Sequence, residues 1–289
     1  MRVLLVANRT KDLTADALQQ ASAWLGAKGI QHVSTTSEDF EERDPDFLAF
    51  KEDIASFDLV CCFGGDGTVL RTAHLIGTAG VPLLSCNFGT LGFLTGAAGD
   101  ELIPALEAAV SGQVTYERRV MLTTTVHYTN GQQAEHFGLN ELAVSRGNFG
   151  RIVALDLFIN DCFIDTIRGD GVLVSTPTGS TAYALSAGGP FISPTHEGLC
   201  IVPIAPHKLS SRAIVTAATD RIRLVPNALN KQSLVIFIDG EAADQQVDAR
   251  LEVKGINVRP SEAGLLLVRY GEHDFYKRIA NTFFRSGNA

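Results

Sequence analysis

The feature that most narrows the fold is a change of period near Tyr116. Up to about residue 110, apolar runs of strand length (2–7, 57–63, 81–87) alternate with stretches of helical period (14–28, 68–77, 100–111). Alternating β and α elements of this kind predict a parallel sheet covered by helices. Beyond Tyr116 the period falls to two. Runs 119–128 and 134–139 flank Thr129-Asn130-Gly131-Gln132, and an Asn-Gly pair between β-type runs is a strong hairpin signal. Further strands are expected over 152–160, 172–175, 200–203, 213–217, 221–225, 234–238, 249–257 and 264–270, and an amphipathic helix over 273–284. The expectation is an α/β N-terminal domain with a parallel sheet over 1–112, an all-β domain over 113–265, and a C-terminal helix within 266–289 that returns to the first domain. The acidic segment 38–46 reads as a solvated loop.

With 45% apolar residues, 289 positions fill a substantial core. A net charge of −8 with scattered Lys and Arg argues against a nucleic acid held by its phosphates, which needs a basic face. No basic amphipathic stretch suggests a membrane surface. The N-terminal apolar run turns polar at Asn8, so it reads as a buried first strand and not as a leader. Cys61, Cys62, Cys86, Cys162 and Cys200 all sit in apolar or strand-like segments without C-x-x-C spacing. They are expected to be buried thiols in a reducing, cytoplasmic setting, and they give no metal site.

Gly64-Gly65-Asp66-Gly67-Thr68 follows the run 57–63 and opens the helix-like stretch after it. Glycines allow positive φ and remove the Cβ, so a charged group can approach the backbone. The first amides of the following helix favour an anion, above all a phosphate. A carboxylate at that point is repelled by phosphate unless a cation or a proton transfer is involved, which marks Asp66 as a candidate catalytic group. The competing reading is that Asp66 and Thr68 cap the helix. Two other phosphate motifs are absent: no Gly is followed by Lys, and Gly65-x-Gly67 is followed by Leu70 where a dinucleotide fingerprint needs glycine or alanine.

A second cluster spans 168–190. Ser175, Thr176, Thr178, Ser180 and Thr181 surround Pro177 and Gly179 and lead into a short helix over 182–187. Small hydroxyls suit sugar and phosphate oxygens, and Tyr183 offers a ring to stack on a base; a Ser/Thr/Gly/Pro linker would look similar. Asn140-Glu141 offers an amide and a carboxylate for vicinal ribose hydroxyls, or a turn pair at a strand end.

The order of these pieces resembles the NAD kinase family. The resemblance rests on Gly64 to Thr68, on Asn87-x-Gly89-x-Leu91-Gly92-Phe93-Leu94, on Asn140-Glu141, on the segment from Asp170-Gly171 to Pro190, and on Pro206-His207-x-Leu209-Ser210-x-Arg212. It implies a two-domain architecture shared with diacylglycerol kinases. It also implies phosphorylation of the adenosine ribose 2′-hydroxyl of NAD, with ATP as donor and a divalent cation, Mg²⁺, as cofactor. By position, Asp66 is similar to the family's proton acceptor. Gly64, Gly65, Gly67 and Thr68 correspond to its phosphate turn, with Gly67 and Phe93 also beside NAD. Asn140 and Glu141 correspond to the adenosine-ribose pair. Arg168 and Asp170 match contacts on the nicotinamide side, Asp170 across a subunit boundary, and Arg151 matches a variable contact. Thr178, Thr181, Ala182, Tyr183, Ala184, Leu185 and Ser186 match the stretch around the nucleoside. The resemblance implies a homo-oligomer, dimer or tetramer. Glu241 departs from the family's usual Gln, and Asn281-Thr282-Phe283-Phe284 from its usual Lys-Leu-Gly-Trp. Two rivals are a lipid kinase, since those enzymes share the glycine turn, and a dinucleotide sensor without turnover.

Overall fold

The computed structural model describes residues 1–8, 12–37, 50–89, 92–146, 152–230, 234–243, 252–271 and 274–285. The acidic segment 38–46 and Arg151 therefore lie outside the described residues. The chain divides into two compact units, Met1–Arg119 with Ala263–Ala289, and Val120–Glu262.

Unit one opens β1 (Arg2–Ala7), α1 (Asp12–Ala27), β2 (Gln31–Thr36), β3 (Leu59–Phe63), α2 (Asp66–Ile76), β4 (Leu83–Asn87), β5 (Ala97–Ala98) and α3 (Leu102–Val110). Its main strands run parallel in the order β2-β1-β3-β4, with Leu5 opposite Cys61 and Cys62 opposite Ser85. Strands β3 and β4 are buried throughout, which is why they read as unbroken apolar runs. Val3, Leu5, Cys61, Phe63 and Leu84 form one core with Ala17, Ala21 and Leu25 of α1 and Leu102, Ala105 and Leu106 of α3. In open parallel sheets ligands bind beyond the strand ends where the strand order reverses. Here that point lies between the ends of β1 and β3, where the glycine turn begins.

The chain leaves unit one inside β6 (Thr115–Tyr128). Unit two then holds β7 (Gln133–Gly138), β8 (Glu141–Arg146), β9 (Val153–Ile159), β10 (Cys162–Gly169), β11 (Gly171–Ser175), a 3₁₀ turn (Thr178–Thr181), α4 (Tyr183–Ser186), β12 (Cys200–Ile204), β13 (Ile214–Val215), β14 (Ile222–Pro226), β15 (Leu234–Ile238) and β16 (Glu241–Ala242). The chain re-enters unit one inside β17 (Val253–Arg269), whose Leu267 pairs with Leu83 of β4, and ends in α5 (Phe275–Ile279) and a π-helical turn (Ala280–Phe284). Hairpin β6–β7 forms at Asn130-Gly131 as expected. One antiparallel sheet of unit two runs β13-β12-β11-β8-β15-β16, and β10-β9-β14 pair antiparallel in another. Leu142, Val144, Val172, Val174 and Ile201 face a core shared with Leu155, Leu157, Ile222 and Leu224. The intervening Ala143, Leu173, Cys200 and Val202 face the other way, onto Ala184 and Ile192. Both faces of these strands are thus covered.

Several expectations are corrected. β2, β8 and β10 were not anticipated: β2 is mostly exposed and β10 exposes Phe163 and Ile164, so neither gives an apolar alternation, while in β8 Glu141, Ser145 and Arg146 cut the apolar run to residues 142–144. The runs 249–257 and 264–270 belong to one strand as far as described, because β17 continues through Pro260 and Gly264, which read as punctuation. The C-terminal helix is only Phe275–Ile279 before the π turn. Four cysteines are buried, but Cys162, just past the β9–β10 turn, is exposed.

Candidate active site

In unit one, β3 delivers the chain to Gly64, and α2 starts at Asp66 with Gly65 as its N-cap. The capping reading fails for Asp66. Its carboxylate does not turn back on the helix; it accepts hydrogen bonds from the N–H of Phe93 (2.9 Å, to Oδ2) and of Leu94 (3.2 Å, to Oδ1). Gly92 makes this approach possible, since a Cβ there would run into the Asp66 carboxylate. Glycine has separate uses within the turn. A Cβ on Gly64 would collide with Thr68, whereas Gly65 and Gly67 look onto open space, and Gly65 has φ −87°, so positive φ is not what either supplies. Thr68 is tied to the end of β1 through a hydrogen bond from Asn8 Nδ2 (3.4 Å).

Beneath the loop lies a charged cluster. Glu117 forms an ion pair with Arg119 (2.7 Å to Nε) and accepts a hydrogen bond from the Nε of Arg269 (2.6 Å). Arg119 and Arg269 each reach the carbonyl of Phe93, at 3.4 and 3.5 Å, and Arg269 also donates to Thr95 O. The Phe93 carbonyl shares a peptide unit with the Leu94 N–H, so holding it orients one of the two amides that face Asp66. Burial works to raise Glu117, but the two guanidiniums outweigh it and hold the carboxyl below its ordinary range; burial lowers Arg119 to about 10. The Phe93 ring stacks on Phe283 and meets Phe275 edge-on, each at 6.1 Å between centroids.

In unit two, Asn140 and Glu141 enter β8. Asp239, in the β15–β16 turn, accepts from the N–H groups of Leu139 (2.7 Å), Asn140 (2.7 Å) and Glu141 (2.9 Å). Glu141 is buried, and its Oε2 has no hydrogen-bond partner among the described residues. Burial first, and the Asp239 carboxylate second, push Glu141 up to about 8. Ser175 stands opposite Glu141 in the β11–β8 register, which brings the hydroxyl segment beside the pair.

The hydroxyls themselves turn inward. Ser175 donates to Thr176 O (2.9 Å), Thr176 to Leu139 O (2.5 Å), Ser180 to Pro177 O (2.7 Å) and Thr181 to Thr178 O (3.2 Å). They shape the segment, and what it presents outward is the exposed Tyr183 ring before Ala184, Leu185 and Ser186. Ala182 stands at the N-cap of α4 with a backbone that is neither extended nor helical (φ −105°, ψ −129°). Arg168 and Asp170 lie elsewhere: Gly171 and Ser175 are opposite ends of β11, so Asp170 is about 13 Å or more along the strand from the Glu141 end. Asp170 pairs there with Arg146 (3.3 Å), and the Arg168 carbonyl accepts from the His207 N–H (2.9 Å). Sequence reasoning missed the amides of Phe93 and Leu94, the Glu117 cluster and Asp239. Asp239-Gly240 carried a turn signal and nothing more.

Comparison with known proteins matches residues 3–114 to the ATP-NAD kinase N-terminal domain and 139–270 to the ATP-NAD kinase C-terminal domain. The NAD kinase of Ruminiclostridium cellulolyticum is 32% identical over 286 residues, 98% of each chain. That of Caldanaerobacter subterraneus subsp. tengcongensis is 44% identical over 184 residues, covering 64% of this chain and 65% of the relative. Among solved structures, yeast NADH kinase complexed with NADH superposes with a TM-score of 0.85 at 25% identity, covering all of this chain and 89% of the other. An NAD kinase from Archaeoglobus fulgidus in complex with ATP gives 0.72 at 25% identity, covering 98% and 97%. With both domain models matched and a full-length relative above 30% identity, the chain belongs to the NAD kinase family.

Proposed function

We infer that the protein transfers the γ-phosphoryl group of ATP to the 2′-hydroxyl of the adenosine ribose of NAD, giving NADP and ADP, with Asp66 as the proton acceptor. Family membership carries the reaction. The observation that carries the role of Asp66 is its carboxylate, half-buried at a helix start that it does not cap and fixed by two amides. A carboxylate with two amide bonds keeps lone pairs for a third partner. As the 2′-oxygen bonds to phosphorus and the bond to the ADP oxygen breaks, the hydroxyl proton passes to Asp66. Gly64, Gly65, Gly67 and Thr68 form the phosphate turn, Asn140 and Glu141 hold the ribose hydroxyls, and the segment from Thr178 to Ser186 lies along the nucleoside.

Mg²⁺ fits this donor set. No group of three His, Cys, Asp or Glu among the described residues could hold a cation by itself, and Mg²⁺ characteristically takes one or two carboxylates plus substrate phosphates. Asp66 would be that carboxylate, and the ion would neutralise phosphate charge. Arg168 and Asp170, which stand toward the far end of β11 from Glu141, are proposed to contact NAD on the nicotinamide side, Asp170 across a subunit boundary in a homo-oligomer. A cytoplasmic setting agrees with four buried, unpaired thiols, and no described helix is long and apolar enough to cross a membrane.

The test is NADP formation from ATP, Mg²⁺ and NAD, read by a dehydrogenase that accepts only NADP, beside Asp66→Asn. The variant is expected to keep its fold and NAD binding and to lose about 10²-fold or more in kcat. Near-normal turnover by Asp66→Asn would refute the role of Asp66; NAD binding without NADP formation by the wild type would favour the sensor.

A further inference from the structure

We propose that Asp239 is a positioning residue for this reaction: its carboxylate ties down the backbone of Leu139, Asn140 and Glu141 so that the Asn140 and Glu141 side chains are presented to the substrate ribose. The inference rests on the reading of Asn140 and Glu141 as the ribose pair.

The geometry is a clamp closed from both sides. Three amides converge on Asp239, and the Asp239 N–H donates in turn to Glu141 O (2.9 Å). From the opposite strand, Thr176 donates through its N–H to Asn140 O (2.8 Å) and through its hydroxyl to Leu139 O (2.5 Å). The backbone of this stretch is thereby satisfied within the protein. Its two side chains are not: among the described residues the Asn140 amide has no hydrogen bond, and Glu141 Oε2 is buried without one. Buried polar groups are almost always paired, so an orphan beside a tightly held backbone points to a ligand that completes it.

The turn is built to aim this carboxylate. Asp239 (φ 51°) and Gly240 (φ 87°) both have positive φ, the type I′ hairpin geometry that Asp-Gly accommodates. Approach of the two segments also needs Gly138, where a Cβ would stand 3.0 Å from Ile238 and 3.3 Å from Asp239 Oδ1.

A purely structural clasp would do the same for the backbone, so the decisive difference is charge. After burial, the Asp239 carboxylate is the charge that acts on Glu141, and its neighbour from β11, Ser175, is neutral. Burial together with Asp239 keeps the Glu141 proton on up to about pH 8, so Glu141 donates a hydrogen bond to a ribose oxygen as well as accepting one. Removing the Asp239 charge lets Glu141 ionise at lower pH.

The experiment measures KM for NAD, KM for ATP and kcat of the full chain between pH 6 and 9.5, with melting temperatures, for wild type, Glu141→Ala, Glu141→Gln, Asp239→Asn and Asp239→Ser. Wild-type KM for NAD should rise above about pH 8, and Glu141→Gln should abolish that rise. Asp239→Asn should raise KM for NAD about tenfold at pH 7, as for a lost hydrogen bond to a charged acceptor. It should leave KM for ATP within twofold and shift the rise to lower pH. Asp239→Ser, which retains an acceptor without charge, should shift it likewise and replaces Asp239→Asn if the latter fails to fold. Wild-type affinity in Glu141→Ala would overturn the ribose reading itself. Weakened NAD binding in Glu141→Ala, with wild-type KM for NAD and an unmoved pH limb in both Asp239 variants, would overturn the proposal alone.

Discussion

Two carboxylates are handled in opposite ways. Asp66 is partly open and already bonded by two amides, whereas Glu141 is buried with an orphan oxygen. For Glu141 the folded protein binds its proton up to about pH 8, against an ordinary value of 4.5. Between those values the native state holds more protons than the unfolded chain, so stability falls as pH rises. The contribution is fully present below 4.5 and gone above about 8. Glu141→Gln, which cannot ionise, should be more stable than wild type at pH 9 by on the order of a few kcal/mol, with the gap closing near pH 5; melting curves across that range test this. Asp66 and Glu141 were legible because their side chains appear as letters beside glycines and amides. The groups that place them were not. The amides of Phe93, Leu94 and Leu139 are present at every residue, and only the fold says which ones converge.

At the scale of elements, strands that are unbroken apolar runs buried on both faces declared themselves, whereas β8, equally covered, did not, because Glu141, Ser145 and Arg146 interrupt its apolar run. β1, β3, β4, β11 and β12 are apolar runs, and the structure explains each through coverage on two sides. Edge and half-exposed strands did not, because an exposed Gln or Phe breaks the alternation that burial would impose. Charged residues inside strands were equally opaque. Glu117 and Arg119 of β6 and Arg269 of β17 look like surface positions in the sequence, yet both arginine side chains are under 10% exposed. Removing the Glu117 carboxylate takes away the anion that both arginines share and leaves their mutual repulsion. Glu117→Gln is expected to cost about 3–5 kcal/mol, read as a lower urea midpoint. It should also loosen the Phe93 carbonyl and with it the Leu94 amide on Asp66, so kcat should fall even at temperatures where the variant stays folded. Because Glu117 is held below its ordinary range, the stability it provides is present at neutral pH and is lost as pH falls through its folded value. The wild type should therefore converge on Glu117→Gln in acid.

At the scale of the whole molecule, unit one is assembled from two distant stretches of chain and unit two from one. The last stretch matters to the site although it carries none of the motifs. Asp274 caps α5 by accepting from the N–H of Tyr276 (2.9 Å) and Lys277 (3.0 Å). This sets Phe275, with Phe283 further on, against Phe93, and buries Ile279. Phe93 in turn supplies an amide to Asp66. Truncation after Gly271 removes both aromatic neighbours and the Ile279 contact, a loss of roughly 3 kcal/mol by apolar burial. The single tryptophan, Trp24, packs against the unit-one core, so its fluorescence follows that unit. In urea the truncated protein should show a Trp24 midpoint lowered by about 1 M. Amide hydrogen exchange of the unit-two strands β8, β11 and β12 should keep a later transition, and turnover should fall at least tenfold with NAD binding reduced less. If both probes shift together instead, the two units unfold as one cooperative body, and the C-terminal segment stabilises the whole chain rather than the Asp66 side alone.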